Sequence, residues 1–269
     1  MLATPPTPLG QRLSGGIAAR CAASRRTGSA GDPGRPGENG GFEPTDRTPR
    51  TMMNFEQARF NMIEQQIRPW EVLDQGVLSL LSIVKREDFV PPAYRSMAFV
   101  DTQVPLPHGQ SMLEPKVEAR LLQELAVQRH ERVLEIGAGS GYMAALLAHK
   151  SQHVTTVEID PELARMASEN LKRAWVLNAR VIEADAAAGL VVDGPFDVIV
   201  LSGSVAEVPR ALLSQLKPGG RLAAIAGQLP VMRAVLMTRG DDAGHSTVEL
   251  FDTVAPRLLG FGEPSRFSF

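Results

Sequence analysis

The stretch that decides the fold is residues 133–141, which read VLEIGAGSG. Its first four residues form a largely apolar run typical of a buried strand, and glycines follow at 137, 139 and 141. In an open α/β sheet a ligand binds beyond the carboxyl ends of the strands, where strand order reverses. Glycines at such a place let the chain turn tightly and approach the ligand closely. The stretch therefore predicts a strand, a ligand-binding loop and the start of a helix.

Strand-like and helix-like patterns alternate on the carboxyl side of this stretch. Short β-branched or apolar runs predict seven strands, at 132–136, 154–159, 179–183, 196–201, 221–226, 231–238 and 247–254. Helical patterns lie between the earlier runs, at 141–149, 161–173 and 208–216. This alternation implies an α/β fold with a mostly parallel sheet and helices on both faces. The loop at 239–244 is too short for a helix, so we expect the sheet to end in an antiparallel pair.

Extra helices are predicted before the sheet. The first begins at an N-cap, Asn54, and ends at Pro69, and the second covers 74–86. Residues 100–115 contain three prolines and are predicted to form an extended loop. Pro115 then suits the first turn of a third helix.

Residues 1–52 differ in composition from the rest, with seven Pro, nine Gly, seven Arg and no Lys. Such a segment buries too little apolar surface to offset its chain entropy, so disorder is expected. It resembles a mitochondrial transit peptide, but we favour an upstream extension, with translation starting at Met52 or Met53. The predicted organisation begins with a tail at 1–52 and a helical region with a substrate-side loop at 53–131. A ligand-binding domain at 132–260 and a C-terminal tail at 261–269 follow.

Composition argues against several classes of protein. A net charge of −2 and a pI near 6.2 give no basic face for nucleic acid. No apolar run approaches the roughly 18–20 residues that span a bilayer. The single cysteine, Cys21, excludes a disulfide framework and a cysteine-based zinc site. The five histidines are scattered without metal-ligand spacing, so we expect no metal.

The glycine spacing separates two kinds of nucleotide site. A dinucleotide fingerprint, G-x-G-x-x-G, needs glycine where this chain has Tyr142, and no G-x-x-x-x-G-K-[ST] pattern is present. From Glu135 onward the order E-x-G-x-G-x-G is similar to the motif of class I S-adenosylmethionine-dependent methyltransferases. That similarity implies a Rossmann-like fold and a site for S-adenosyl-L-methionine, with its cofactor-binding loop at Glu135, Gly137, Ala138, Gly139, Ser140 and Gly141.

Two acidic positions fit the rest of such a cofactor. Glu158 ends the second predicted strand, about twenty residues after the loop begins, where a carboxylate can accept both ribose hydroxyls. Asp185 follows the third strand, where it can bind an adenine amino group while the amide of Ala186 serves a ring nitrogen. Glu135 is a candidate for the ammonium of the methionine part, directly or through water.

Several segments together resemble the protein-L-isoaspartate O-methyltransferase family, over most of residues 54–260. They occur in the family's order: GQSMLEP at 109–115, VLEIGAGSGY at 133–142, GPFDVI at 194–199, VP at 208–209 and LSQLKPGGRL at 213–222. The resemblance implies protein repair by methylation of the free carboxylate of an isoaspartyl residue. It further implies a cytoplasmic enzyme, a monomer or weak homo-oligomer, whose partner is a damaged protein or peptide.

The chain departs from this family on the acceptor side. Members usually carry Thr-Ile-Ser ahead of the proline, and the resemblance assigns that serine to the active site, whereas this chain has Ser111, Met112 and Leu113. A leucine cannot donate a hydrogen bond, and a poorly solvated carboxylate without a donor costs about 1–3 kcal/mol. Ser111 is the candidate catalytic residue that could compensate, or it caps the loop. Lys116 could supply a positive charge, although a position on the helix surface is favoured.

The sequence is therefore compatible with three functional hypotheses. The leading hypothesis is isoaspartyl carboxyl methylation. The second keeps the enzyme class but changes the acceptor to a small molecule or another protein group, because of Leu113. The third is a cofactor-binding protein without activity, which the glycine loop, Glu158 and Asp185 argue against.

Overall fold

The computed structural model describes residues 53–188, 194–241 and 244–262. The predictions for the tail at 1–52, and for all but two residues of the tail at 261–269, lie outside the described residues.

Three helices precede the main sheet: α1 (Phe55–Met62), α2 (Gln75–Ile83) and α3 (Pro115–Leu125). Asn54 caps α1 as predicted, its Oδ1 accepting from the Gln57 amide at 3.2 Å. After α1 the chain keeps winding as a π-helix over Ile63–Ile67 and a 3₁₀ turn over Arg68–Trp70, one residue past the predicted end. Further 3₁₀ turns lie at Arg86–Asp88 and Pro92–Met97.

The predicted loop at 100–115 contains a small antiparallel ribbon, so that prediction was wrong in part. Its strands are β1 (Val104–Pro105) and β2 (Ser111–Met112), with Pro105 opposite Ser111. A 3₁₀ turn at Pro107–Gly109 joins them. Strands of two residues are too short to show an alternating pattern, and proline lacks the amide of a regular ladder. We refer to β1, the turn and β2 as the ribbon.

The main sheet has seven strands: β3 (Arg132–Ile136), β4 (His153–Glu158), β5 (Ala179–Glu183), β6 (Phe196–Val205), β7 (Leu216–Gln228), β8 (Val231–Arg239) and β9 (His245–Thr253). They lie in the order β5-β4-β3-β6-β7-β8-β9. The pairs from β5 to β7 are parallel, and β8 is antiparallel to both of its neighbours. The predicted α/β fold, with its mostly parallel seven-stranded sheet and antiparallel end, is confirmed. Strand order reverses between β3 and β6, which places a switch point beside the glycine loop.

Helices α4 (Tyr142–Lys150), α5 (Pro161–Arg173) and α6 (Arg210–Leu213) connect the parallel strands. Helix α6 is shorter than the predicted 208–216 because Leu216 already pairs with Phe196 in the sheet. Strands β6 and β7 are longer than predicted, since their ends contain serines, glycines and a proline that do not resemble an apolar run.

Both faces of the sheet are covered. Val133 and Val198 face the N-terminal helices, α3 and α4, in one apolar cluster. The adjacent Leu134 and Ile199 face the other way, toward a second cluster that includes residues of α6. Successive strand residues point to opposite faces, so a strand buried on both sides is apolar throughout. The sheet is thus held rigid, with its loops gathered at the strand ends.

Candidate functional site

A cavity opens at the carboxyl ends of β3, β4 and β6, at the switch point of the sheet. The cavity is lined by the glycine loop, the ribbon, the loop after β5 and the segment after β9. The lining residues that matter below are Gln110, Ser111, Gly137, Gly139, Glu158, Ala186, Ser202, Gly203, Leu258 and Phe261. We call this the main cavity. The predicted loop and strand ends therefore meet at one place.

The glycine loop forms the floor of the main cavity. Gly137, Gly139 and Gly141 have φ values of 89°, 51° and 83°, a region in which side chains are strained. A Cβ added at Gly139 would lie 3.3 Å from Leu106 Cδ1, and one at Gly141 would lie 3.2 Å from backbone atoms of Ala167. An added Cβ would meet the Leu258 side chain at Gly137 and the Leu106 side chain at Gly139, whereas Gly141 is the N-cap of α4 and permits close packing on α5.

Glu158 ends β4 with its carboxylate at the edge of this floor. Oε2 accepts from the Gly139 amide at 2.9 Å, and Oε1 accepts from the Asp160 amide at 3.1 Å. Each carboxylate oxygen can accept more than one hydrogen bond, so both retain capacity toward the main cavity. A fixed carboxylate of this kind suits a pair of neighbouring hydroxyl groups.

Glu135 lies fully buried in β3, beneath the loop. Its Oε1 accepts from the Ser202 hydroxyl at 2.7 Å, while Oε2 is buried without a hydrogen-bond partner. Burial raises the pKa of this carboxyl to about 8, and the neighbouring Ser202 and Thr156 hydroxyls oppose that rise. An unpartnered buried carboxyl oxygen beside a glycine floor fits a ligand that carries an ammonium group.

A smaller cavity adjoins the main one and is shared by Ala138, Ser140, Glu135 and the ribbon. The backbone oxygen of Ser140 accepts from Asn170 Nδ2 at 2.8 Å, which ties the loop to α5. We call this the small cavity. It lies between the glycine loop and the residues predicted to face the acceptor.

Asp185 and Ala186 follow β5, as predicted, but they differ in position. Ala186 lines the main cavity, whereas Asp185 stands beside it. Asp185 Oδ1 accepts from the Ala187 amide at 2.8 Å, and a Cβ added at Gly260 would lie 2.6 Å from the same oxygen.

The structure brings Ser111 to the glycine loop, where it lines both cavities. Leu113 is 4% exposed and lines the small cavity. The carbonyl oxygen of Leu113 accepts from Arg86 Nη2 at 2.7 Å, and the buried Arg86 also pairs with Glu118. Burial raises the pKa of Glu118 to about 7, against the opposing charge of Arg86. The Leu113 backbone is therefore held firmly, while its side chain presents only alkyl groups.

Lys116 lies away from the cavity walls. Its Nζ is 2.7 Å from Asp101 Oδ2 and 4.8 Å from the centre of the Trp70 ring. The positive charge is engaged on the helix surface, which was the favoured prediction.

Three parts of the site were missed by sequence reasoning. Ser202 follows a predicted strand at the switch point, so its position in the chain could have identified it. Gln103 and the segment 255–261 carried no such signal, because their contacts come from residues far away in the chain. Gln103 Nε2, for example, donates to the Val254 carbonyl at 2.9 Å.

Among the residues that the structure describes, no group of three or more His, Cys, Asp or Glu side chains is arranged to hold a metal ion. Within the same described ranges, none of the helices combines the length and apolar character needed to span a bilayer.

Comparison with known proteins identifies the family of this chain. The model of the protein-L-isoaspartate(D-aspartate) O-methyltransferase family matches residues 57–249. A protein-L-isoaspartate O-methyltransferase of Koribacter versatilis is 36% identical over 209 residues, 78% of this chain and 94% of that protein. One of Methanoculleus marisnigri is 40% identical over 169 residues, covering 63% of this chain and 77% of its own.

A solved structure shows the same fold at lower sequence similarity. It is described as a protein-L-isoaspartate O-methyltransferase of Plasmodium falciparum in complex with S-adenosyl-L-homocysteine, with a TM-score of 0.65 and 22% identity. The match covers 77% of this chain and 98% of that one. The family match over residues 57–249 and the relatives above show that this chain belongs to the protein-L-isoaspartate(D-aspartate) O-methyltransferase family.

Proposed function

We propose that this chain is an S-adenosyl-L-methionine-dependent O-methyltransferase that methylates the free carboxylate of isoaspartyl residues in damaged proteins. The observation that carries the proposal is the main cavity, which joins the glycine floor and Glu158 to the ribbon residue Ser111. Membership of the family supports this choice of cofactor and acceptor.

The cofactor would be held by the groups that surround the glycine floor. Glu158 would accept from the two ribose hydroxyls, Asp185 and the Ala186 amide would bind the adenine edge, and Glu135 would meet the ammonium group. Gly137, Ala138, Gly139, Ser140 and Gly141 would supply the close backbone surface. The unpartnered oxygen of Glu135 supports the ammonium assignment in particular.

S-adenosyl-L-methionine would supply a methyl group on a sulfonium that leaves as a neutral thioether. An isoaspartyl carboxylate is already ionised at neutral pH, so the chain needs no strong base to activate it. Its residues would align the carboxylate oxygen with the methyl group and replace the carboxylate's hydration shell. Such positioning contributes at best on the order of 7–11 kcal/mol.

The proposal is tested with a pair of peptides that differ in one linkage. Purified protein is incubated with methyl-labelled S-adenosyl-L-methionine and either an isoaspartyl peptide or the matching normal aspartyl peptide. Labelled methyl ester is expected on the isoaspartyl peptide alone. Binding of the cofactor without transfer to the isoaspartyl peptide would overturn the acceptor assignment.

Leu113 favours a second candidate, the same chemistry on a different small-molecule or protein acceptor. The small cavity presents Leu113 alkyl groups where the family carries a serine. Metabolite profiling of a deletion strain, combined with labelled methyl incorporation, would identify such an acceptor. We further propose a cytoplasmic protein that acts as a monomer or weak homo-oligomer, with the helical region 53–131 serving the acceptor side and 132–260 the cofactor.

A further inference from the structure

Gln103 lies directly before the ribbon, and its side-chain amide links three parts of the acceptor side. Nε2 donates to the Val254 carbonyl oxygen at 2.9 Å and to Glu114 Oε1 at 3.2 Å. The amide nitrogen carries two protons, and these two acceptors use both. Because Nε2 faces two oxygens that can only accept, the orientation of the amide is determined by its surroundings.

The Ser111 hydroxyl lies against the other end of this amide, with Oγ 3.2 Å from Gln103 Oε1. An amide oxygen can only accept a hydrogen bond, so the single hydroxyl proton of Ser111 is directed at Gln103. Ser111 also lines both cavities. The Ser111 oxygen can therefore act toward those cavities only as a hydrogen-bond acceptor.

The side chains around Ser111 in the small cavity differ in polarity. Leu113 contributes alkyl groups, and Tyr142, which also lines the small cavity, has a buried hydroxyl without a hydrogen-bond partner. The buried cation nearby, Arg86, is engaged by Glu118 and by the Leu113 carbonyl. A carboxylate placed against Ser111 Oγ would meet a lone pair, whereas an N–H group placed there would find an acceptor.

We propose that Gln103 is a positioning residue that holds Ser111 as a hydrogen-bond acceptor, and that Ser111 binds a peptide N–H next to the reacting carboxylate. This inference rests on the proposed isoaspartyl acceptor and names the group of that acceptor which Ser111 recognises. An isoaspartyl residue has two such groups, its own amide N–H and the N–H of the following residue. Ser111 would then serve substrate binding, while Leu113 offers the carboxylate no hydrogen-bond donor.

The test compares three isoaspartyl peptides with the full-length wild-type chain: the parent peptide and two versions, each N-methylated at one of the flanking amides. One methylated peptide is expected to raise the peptide KM about three- to tenfold, as for loss of one neutral hydrogen bond, with little change in kcat. In Ser111→Ala, the parent and N-methylated peptides should have the same KM. This result would show that the wild-type difference comes from the lost N–H proton and not from the bulk of the added methyl group.

Variants of the positioning residue give an independent measurement. Gln103→Leu should raise the KM of the parent peptide by about the same factor as Ser111→Ala. The double variant should raise this KM by no more than either single variant, because both substitutions remove the same interaction. The KM for S-adenosyl-L-methionine should stay unchanged in Gln103→Leu, because Gln103 lines neither cavity. Gln152→Leu, at an exposed glutamine before β4, is the matched control and should behave as wild type.

The outcomes distinguish the two proposals. If the wild-type chain methylates the parent peptide and neither N-methylated peptide changes KM, the role of Ser111 is wrong while the proposed function stands. If the chain does not methylate the parent peptide, the proposed function fails and the inference fails with it. The wild-type peptide series decides the question even where Gln103→Leu does not fold, because Gln103 also anchors Val254.

Discussion

Leu113 occupies the position at which the sequence resemblance leads us to expect a serine, and its side chain is 4% exposed against the small cavity. If the reacting carboxylate approaches this side chain, Leu113→Ser would add a hydroxyl donor to it. A hydrogen bond to a charged group contributes about 1.5–3 kcal/mol, so kcat/KM for an isoaspartyl peptide is expected to rise by about tenfold or more. Steady-state kinetics with that peptide measure the change.

Leu113→Ala is the matched control, because it removes the same alkyl groups without adding a donor. Both variants should lose about 2–5 kcal/mol of stability, since they leave a cavity in a packed wall. Equal kcat/KM for the serine and alanine variants would show that the acceptor does not lie against position 113.

Glu158 is the side chain on which the cofactor assignment depends most directly. Its two oxygens are fixed by the Gly139 and Asp160 amides and retain capacity toward the main cavity. In Glu158→Gln one of these oxygens becomes a donor and the negative charge is lost. The Kd for S-adenosyl-L-homocysteine, measured by calorimetric titration, is expected to rise about 10- to 100-fold.

The adjacent strand supplies the control for this variant. Glu183 ends β5 directly opposite Glu158 in the sheet register and is exposed. Glu183→Gln removes the same charge from the same edge of the sheet and should leave the Kd unchanged. Similar losses in both variants would indicate a general electrostatic effect instead of contact with the ribose.

At the scale of elements, the ribbon is fastened to helix α5 by one histidine. His108, in the turn between β1 and β2, contacts Asp160 through Nδ1 and lies 3.2 Å from Glu162 Oε2 through Nε2. Asp160 is the N-cap of α5, and its amide in turn donates to Glu158. The contact therefore connects the acceptor-side ribbon to the cofactor side of the main cavity.

This contact predicts a pH dependence of cofactor binding. The hydrogen bond with Asp160 raises the pKa of His108 above its usual value of 6.5, and the same bond lowers the pKa of Asp160. The attraction is thus fully present below about pH 6.5, while Asp160 stays ionised, and is lost as the pH rises through the raised pKa of His108. In His108→Gln the Kd for S-adenosyl-L-homocysteine should rise, by no more than about fivefold, near pH 6 and match wild type near pH 9.

His153 provides the comparison, since it begins β4 at the opposite edge of the sheet. His153→Gln should leave the Kd equal to that of wild type at both pH values. A loss in His108→Gln that is the same near pH 6 and pH 9 would mean that the ribbon is held by packing and not by the charged pair.

The sequence predicted those elements whose signal is local. Strand β3 and the glycine loop form one continuous stretch, and strands buried on both faces are apolar throughout, as with Val133 and Leu134. The ribbon could not be predicted, because Val104 and Pro105 reach their partners only through tertiary contacts. Gln103 likewise depends on Val254, 151 residues further along the chain.

At the scale of the whole molecule, the segment after β9 returns across the carboxyl edge of the sheet and closes the main cavity. The Ser204 amide donates to the Pro256 carbonyl at 2.7 Å, and the Leu258 amide donates to the Ser204 carbonyl at 2.9 Å. Leu258 thereby covers both Gly137 and Gly203. The last part of the described chain and the glycine loop thus form opposite walls of one site.

Gly203 tests whether this closure contributes to binding. A Cβ added there would lie 2.8 Å from Leu258 Cδ2 and 3.1 Å from the Pro256 oxygen, so Gly203→Ala must displace the Leu258 side chain and crowd the Pro256 carbonyl. We expect S-adenosyl-L-homocysteine to bind about tenfold more weakly, which reduces its stabilisation of the folded state by about 1.4 kcal/mol at saturating ligand. Thermal unfolding with and without ligand measures this difference.

Two further variants distinguish the effect of moving the segment after β9 from the effect of adding a methyl group to this part of the chain. Gly262→Ala places its Cβ in open space within the same part of the chain and should bind as wild type. In Gly203→Ala combined with Leu258→Ala, the closest clash is removed while the Pro256 contact remains, so affinity should recover in part. If Gly203→Ala alone binds with wild-type affinity, the segment after β9 does not contribute to binding. The cofactor would then be held by the glycine loop and Glu158.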